Sequence, residues 1–159
     1  MQTNWLLVAD EAVAHVFQWR GSEKRLEEVQ SFTHPASHSR EADLRDDAYG
    51  RNNQGRQVGH ARHAMSSVTS SASLDNVHAE AALFAKELAQ WLAKAQLDGR
   101  FQHLRVAAAP RFLGLLRQEM TLQVAAVILD ELPKDLVHES KDELARRFLG
   151  PASGHPTGN

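Results

Sequence analysis

Cysteine is absent from this 159-residue chain, so disulfide bonds and thiolate chemistry are excluded. That absence fits a reducing compartment. Long apolar runs are absent as well: the run from Trp5 to Ala9 ends at Asp10, which is too early for a signal peptide. No apolar window approaches the roughly 18 residues that a membrane span needs. We therefore expect a cytoplasmic protein with one domain over residues 1–149 and no contact with a membrane.

The common nucleotide-binding and nucleophile motifs are also missing. The sequence contains neither G-x-x-x-x-G-K followed by Ser or Thr, nor G-x-G-x-x-G. It contains no G-x-S-x-G turn. These absences predict that no cofactor is bound.

The first third of the chain has the pattern of three strands. The segment from Asn4 to Asp10 is continuously apolar, as in a strand buried on both faces. Residues Val13–Arg20 alternate, with an aromatic-rich face, and Arg25–Phe32 alternates again after the turn at Gly21-Ser22. The pattern predicts an antiparallel meander.

Apolar periodicity is lost from Thr33 to Ser73, where Ser, Arg, Asp, Gly and Asn dominate. Connections longer than about 12–15 residues are usually functional or disordered. The segment 33–73 is therefore predicted to be one long loop.

Periodicity of the helical kind returns near Leu74 and predicts a helix over residues 75–97, closed by Gly99. A second buried strand is predicted over Phe101–Ala109. The next helix, Arg111–Met120, has Pro110 at its first position, and the first half of Val124–Leu132 reads as its extension.

The last elements complete the pattern. Val127–Leu132 is predicted to be a strand, and Lys141–Leu149 a helix in which Ser140 and Glu143 form a capping box. Residues 150–159 are rich in Gly and Pro and are predicted to be disordered.

The order βββ–loop–α–β–α–β–α predicts an α/β fold. Three antiparallel strands followed by two helix-linked parallel strands make a mixed sheet with helices on its faces. The expected strand order is 3-2-1-4-5, as in the ribonuclease-H-like fold.

A two-metal nuclease on this fold would need carboxylates from the first strand, the long helix and the fourth strand. Asp10 could come from the first, and Glu80 or Glu87 from the helix, but the fourth strand ends without an acid. Asp10 is better explained as a turn residue.

Two histidine pairs have spacings that suit metal ligands: His60 with His63, and His34 with His38. Neither pair lies on a predicted helix that would aim both rings at one ion. His15, on the second strand, is interpreted as partly buried and hydrogen-bonded. No metal site is predicted.

A basic stretch stands out in this mildly acidic chain: DAYGRNNQGRQVGHARHAMSSVTSS, residues 47–71. Residues 48–74 contain three arginines and no acid, so they carry a formal charge of +3, while the whole chain carries −2. Arginine, asparagine and glycine suit phosphate contact. Candidate RNA- or partner-binding residues are Arg51, Asn53, Gln54, Arg56, His60, Arg62 and His63. A solvated loop without a ligand is the alternative.

Five segments resemble the bacterial host-attachment protein family: WLLVADEAVAHVF, HPASHSRE, LFAKELAQWLAKA, VAAAPRFLGLLR and LPKDLVHES. The resemblance covers residues 4–149 and implies a protein required for attachment to host cells. Since the chain shows no signal peptide or anchor, the resemblance is read as an indirect effect on attachment from the cytoplasm.

That family is in turn similar to the middle domain of archaeal and eukaryotic class-I release factors and of Pelota. In release factors a Gly-Gly-Gln loop precedes the long helix. Here Asn52-Asn53-Gln54-Gly55 occupies that place, and the paired glycines are missing. The resemblance therefore implies the location of the loop but not peptidyl-tRNA hydrolysis, for which Gln54 would be the catalytic candidate.

Three hypotheses follow. The leading one is a non-catalytic protein that contacts RNA or a ribosome-associated partner through the basic loop. The second is an esterase-type hydrolase acting on peptidyl-tRNA, in which Gln54 positions water. The third is a protein-protein interaction module that uses Arg111, Arg117 and Lys134. The sequence predicts no oligomeric state.

Overall fold

The computed structural model describes residues 1–34 and 63–150, and within helix 63–97 it describes side chains from residue 76 onward. The strands are β1 (Thr3–Ala9), β2 (Val13–Arg20), β3 (Glu27–Thr33), β4 (His103–Ala108) and β5 (Ile128–Leu132). The helices are α1 (His63–Leu97), α2 (Pro110–Glu119), α3 (Leu122–Ala126) and α4 (Lys141–Leu149).

The five strands form one sheet in the order β3-β2-β1-β4-β5. β1 pairs antiparallel with β2, and β2 pairs antiparallel with β3. β4 lies parallel to β1 on one side and to β5 on the other. The predicted α/β fold and strand order are therefore confirmed.

The turn between β1 and β2 is closed by Asp10. Its Oδ1 accepts hydrogen bonds from the backbone N–H groups of Ala12 and Val13, both at 2.8 Å. Its own N–H donates to the carbonyl of Val13 at 2.9 Å. The interpretation of Asp10 as a turn residue fits these three bonds, which are the usual use of aspartate in turns.

Helix α1 begins at His63, so the prediction of a loop to residue 73 and a helix from about 75 was wrong. The segment HAMSSVTSSASL carries no apolar stripe, which is why periodicity gave no signal there. Adding residues to an existing helix costs little, because each added residue forms one more backbone hydrogen bond. Serine has only moderately low helix propensity. A helix nucleated by the packed half can therefore extend through this polar segment.

Helix α3 is separate from α2, so the prediction that this segment extends the preceding helix was also wrong. The backbone is extended at Met120, where α2 ends. Thr121 then starts α3 as its N-cap, since its side-chain oxygen accepts from the N–H of Val124 at 3.2 Å. The threonine cap marks a new helix start.

Both sheet faces are covered. α1 and α2 pack on the face formed by the odd-numbered residues of β1, with Trp5 stacked on Trp91 and Phe101 at ring-centroid distances of 5.3 and 4.6 Å. On the other face, α4 and the chain before it cover a second apolar cluster, whose buried members are Leu6, Val8, Phe17, Trp19, Leu26, Ala107, Leu136 and Leu144. Within the described residues, no helix is long and apolar enough to cross a bilayer.

Candidate functional site

The predicted binding residues fall almost entirely outside the part of the chain that the structure describes. Arg51, Asn53, Gln54, Arg56, His60 and Arg62 lie in the segment between β3 and α1, outside the described residues. His63 is the first residue of α1. The structure therefore defines where this segment leaves the sheet and where it returns.

The segment leaves from the turn between β1 and β2. β3 ends at Thr33 opposite Val13, and the N–H of His34 donates to the carbonyl of Ala12 at 2.8 Å. The ring of His34 stacks on Phe84 of α1, with centroids 5.5 Å apart. The start of the segment is thus fixed beside the carboxyl end of β1.

The segment returns through a helix that is longer than the sheet it covers. α1 has 35 residues and is therefore about 52 Å long. Among its side chains from residue 76 onward, the buried ones run from Ala81 to Ala95, about 22 Å, which matches a seven-residue strand. Its carboxyl end lies near the amino end of β1, where the N–H of Gln102 donates to the carbonyl of Thr3 at 2.8 Å. The first turns of α1 therefore extend past the carboxyl edge of the sheet.

This carboxyl edge has the location at which open α/β sheets bind ligands. β1 ends there at Ala9, and β4 ends there at Ala108. Strand order reverses at β1, which has an antiparallel neighbour on one side and a parallel neighbour on the other. The segment between β3 and α1 leaves this same edge at β3, two strands from β1, and the hydrogen bond from His34 to Ala12 ties its start to the turn that follows β1.

Helix α2 begins at the same edge, two residues after β4. Its N-cap is Ala109, which makes no side-chain hydrogen bond to the helix, and Pro110 occupies the first helical position. The N–H groups of a first helical turn lack intrahelical acceptors, and the helix dipole favours an anion beside them. The first turn of α2 contributes a partial positive charge to this edge.

The basic residues of the third hypothesis are not all available at this edge. Arg111 is exposed in the first turn of α2, and Lys134 is exposed just after β5. Arg117, at the other end of α2, is bound to the carboxylate of Glu131 on β5. Arg117 therefore connects α2 to β5, and Glu131 compensates its charge.

No metal site is found among the described residues: no group of three or more His, Asp or Glu side chains could hold an ion there. The carboxylate of Asp10 accepts the hydrogen bonds that close the turn between β1 and β2, and Glu80 lies half-buried on α1. His15 is hydrogen-bonded to Glu28, as the sequence interpretation had it. His38 and His60 lie outside the described residues.

Sequence reasoning missed a small pocket on the second sheet face, where His15 and Glu28 meet the chain that precedes α4. Alternation within β2 indicated that His15 and Phe17 share a face. The partner Glu28 depends on the register between β2 and β3, which contains an irregularity at Val16 and Phe17. No local sequence signal gives that register.

The fold defines a class of protein: a mixed α/β domain with a long connection at the carboxyl edge of its sheet, in which residues 48–62 carry three arginines and no acid, and with no metal-binding cluster in the described part. The sequence matches the family described as "Protein required for attachment to host cells" over residues 5–148. Because this match covers most of the chain, the protein belongs to that family. No curated protein was found to match the chain. The likeness to release-factor middle domains stays a prediction.

Proposed function

We propose that this protein supports attachment to host cells as a non-catalytic cytoplasmic binding protein. Its segment between β3 and α1 contacts RNA or a ribosome-associated partner. One observation carries the proposal: residues 48–62 contain Arg51, Arg56 and Arg62 and no acid, and they belong to the segment that leaves the carboxyl edge of the sheet at β3. Family membership supports the role in attachment.

The chemistry of the segment favours phosphate as the group that it contacts. Guanidinium groups form paired hydrogen bonds with phosphate oxygens, and asparagine and glutamine amides donate further bonds. The uncapped first turn of α2 adds backbone N–H donors at the same edge. Tyr49 is the only aromatic residue between Thr33 and His60, so the segment offers little base stacking. Contact with the backbone of RNA, without sequence preference, follows from this composition.

The proposed contact is tested by ribosome co-sedimentation and by RNA binding over a salt series. The variant changes Arg51, Arg56 and Arg62 together to Ala. The matched control removes the same charge elsewhere, by changing the exposed residues Lys86, Lys94 and Arg146 to Ala.

We expect the wild type and the control to bind with affinity that falls steeply with salt. Each phosphate contact contributes about −0.7 to the logarithmic salt slope for a single strand. The loop variant should bind more weakly at low salt and lose about two units of that slope. A strain that carries only the loop variant should attach to host cells less well than one that carries the control.

Three results would overturn the proposal. One is no binding of wild-type protein to ribosomes or RNA. Another is equal binding by the loop variant and the control. The third is turnover of peptidyl-tRNA that Gln54→Ala abolishes without unfolding the protein, which would establish the hydrolase instead. Capture of a protein that the loop variant still binds, and that is lost when Arg111 and Lys134 are changed to Ala, would favour the interaction module.

A further inference from the structure

The pocket on the second sheet face has an apolar floor and a polar rim. Its volume is about 150 Å³. Val8, Phe17, Leu136 and Leu144 form the floor, and each is at most 5% exposed. The rim carries the four polar side chains His15, Glu28, Glu139 and Lys141. An apolar cavity with a few convergent polar groups is the usual form of a small-molecule site.

The rim is organised by a hydrogen bond between two strands. Nδ1 of His15 lies 3.1 Å from Oε1 of Glu28. An ionised carboxylate can only accept hydrogen bonds, so Nδ1 of His15 carries the proton and donates a hydrogen bond to Glu28. In the neutral imidazole this leaves Nε2 of His15 as an acceptor. The rim therefore presents an acceptor nitrogen beside a carboxylate.

The other two rim charges have different settings. Glu139 is held by Arg147, whose Nη2 lies 2.8 Å from its Oε1. Lys141 is exposed at the start of α4, where water can solvate its ammonium group. Because Arg147 compensates the charge of Glu139, the attraction comes from Glu28 and from Nε2 of neutral His15, which together suit a group that donates hydrogen bonds and carries positive charge.

We propose that this pocket binds a small organic cation, namely a primary ammonium group on an unbranched apolar chain. The chain lies on the floor formed by Val8, Phe17 and Leu144. The ammonium group donates to Glu28 and to Nε2 of His15. At roughly 30 Å³ for each water-sized unit of liquid volume, a pocket of about 150 Å³ holds about five such units, which suits a five-carbon chain whose ammonium group lies at the rim. This site lies on the second sheet face, opposite the face that α1 covers, and its test does not depend on the function proposed for the segment between β3 and α1.

The test is a titration of the full-length protein with n-pentylamine, followed by amide and imidazole NMR shifts. 1-Pentanol and pentanoate are the matched probes, because they keep the chain and replace the ammonium by a neutral or an anionic group. We expect n-pentylamine to shift the signals of Val8, Phe17, Leu144 and the His15 ring, with a dissociation constant of about 1–10 mM, as suits so small a ligand. The other two probes should bind at least about fivefold more weakly.

Substitutions on β3 provide a matched pair. Glu28→Gln should weaken n-pentylamine binding about tenfold, because it replaces a charge-assisted hydrogen bond by a neutral one. Glu27→Gln is the control: Glu27 is exposed on the same strand, outside the pocket, and accepts from Gln18. Its substitution should leave the affinity unchanged. Lys141→Ala should tighten binding two- to threefold, because it removes a positive charge from the rim.

The proposal is overturned if pentanol or pentanoate binds as well as n-pentylamine, or if the shifts fall outside the pocket. It is also overturned if Glu28→Gln binds like the wild type. Should Glu28→Gln fail to fold, Lys141→Ala decides, since unchanged or weaker binding by that variant excludes a cation at the rim.

Discussion

The imidazole of His34 stacks on the ring of Phe84, with centroids 5.5 Å apart and an interplanar angle of 28°. Phe84 stacks in turn on Phe112 of α2 at the same distance. Three aromatic rings from three parts of the chain therefore meet at the carboxyl edge of the sheet. This row of rings connects the start of the segment between β3 and α1 to α1 and α2, the two helices that cover the first sheet face.

Phe84→Ala should lower the free energy of unfolding by about 3–5 kcal/mol, because it leaves a cavity between His34 and Phe112. The measurement is urea unfolding followed by tryptophan fluorescence. Leu83→Ala is the control, since Leu83 is the preceding residue on α1 and is 56% exposed. It should change stability by less than about 0.5 kcal/mol. If both variants lose the same free energy of unfolding, the three stacked rings contribute no more to stability than an exposed leucine does.

Arg105→Ala should destabilise the protein by about 1.5–3 kcal/mol, because Nη1 of Arg105 donates to the carbonyl of Phe148 in the last turn of α4. The same guanidinium lies over Trp19, 5.7 Å from its ring centroid. Hydrogen exchange should accelerate in α4 and stay unchanged in α2. Arg146→Ala, on the exposed side of α4, should leave exchange in α4 nearly as it is. If both variants accelerate it equally, Arg105 has no special part in holding the helix.

Ser140→Ala should cost about 1 kcal/mol, because the Ser140 hydroxyl accepts the N–H of Glu143 at 3.2 Å and caps α4. Ser140→Asp should restore most of this loss, since a carboxylate accepts the same bond and favours the helix dipole. Thermal unfolding of the three proteins measures the difference. An aspartate variant as unstable as the alanine variant would contradict the capping role.

Two glycines should respond to alanine in opposite directions. Gly99 has a φ of +71° after the end of α1, so Gly99→Ala should destabilise by about 1 kcal/mol. Gly114 lies inside α2, and a Cβ there would meet no atom within 4 Å. Gly114→Ala should therefore stabilise by about 0.5–1 kcal/mol. Denaturant midpoints of the two variants should move apart, and a shift in the same direction would contradict this assignment.

Much of the fold could be predicted because its elements bury recognisable patterns. The apolar run after Asn4, the alternation in Val13–Arg20 and the Pro110 helix start each act locally, and the structure has strands and a helix at these places. The start of α1 could not be predicted in the same way. Its first residues, HAMSSVTSSASL, carry no apolar stripe in the sequence, so no periodicity marks them.

For the candidate sites, too, local features could be predicted from the sequence and contacts between distant residues could not. The sequence alone determined that a segment with Arg51, Arg56 and Arg62 interrupts the fold, because charge and missing periodicity are local properties. Only the tertiary structure decided that this segment is attached beside the carboxyl end of β1. Only strand register decided that Glu28 meets His15, because alternation assigns a side chain to a face, while pairing between distant strands selects its neighbours.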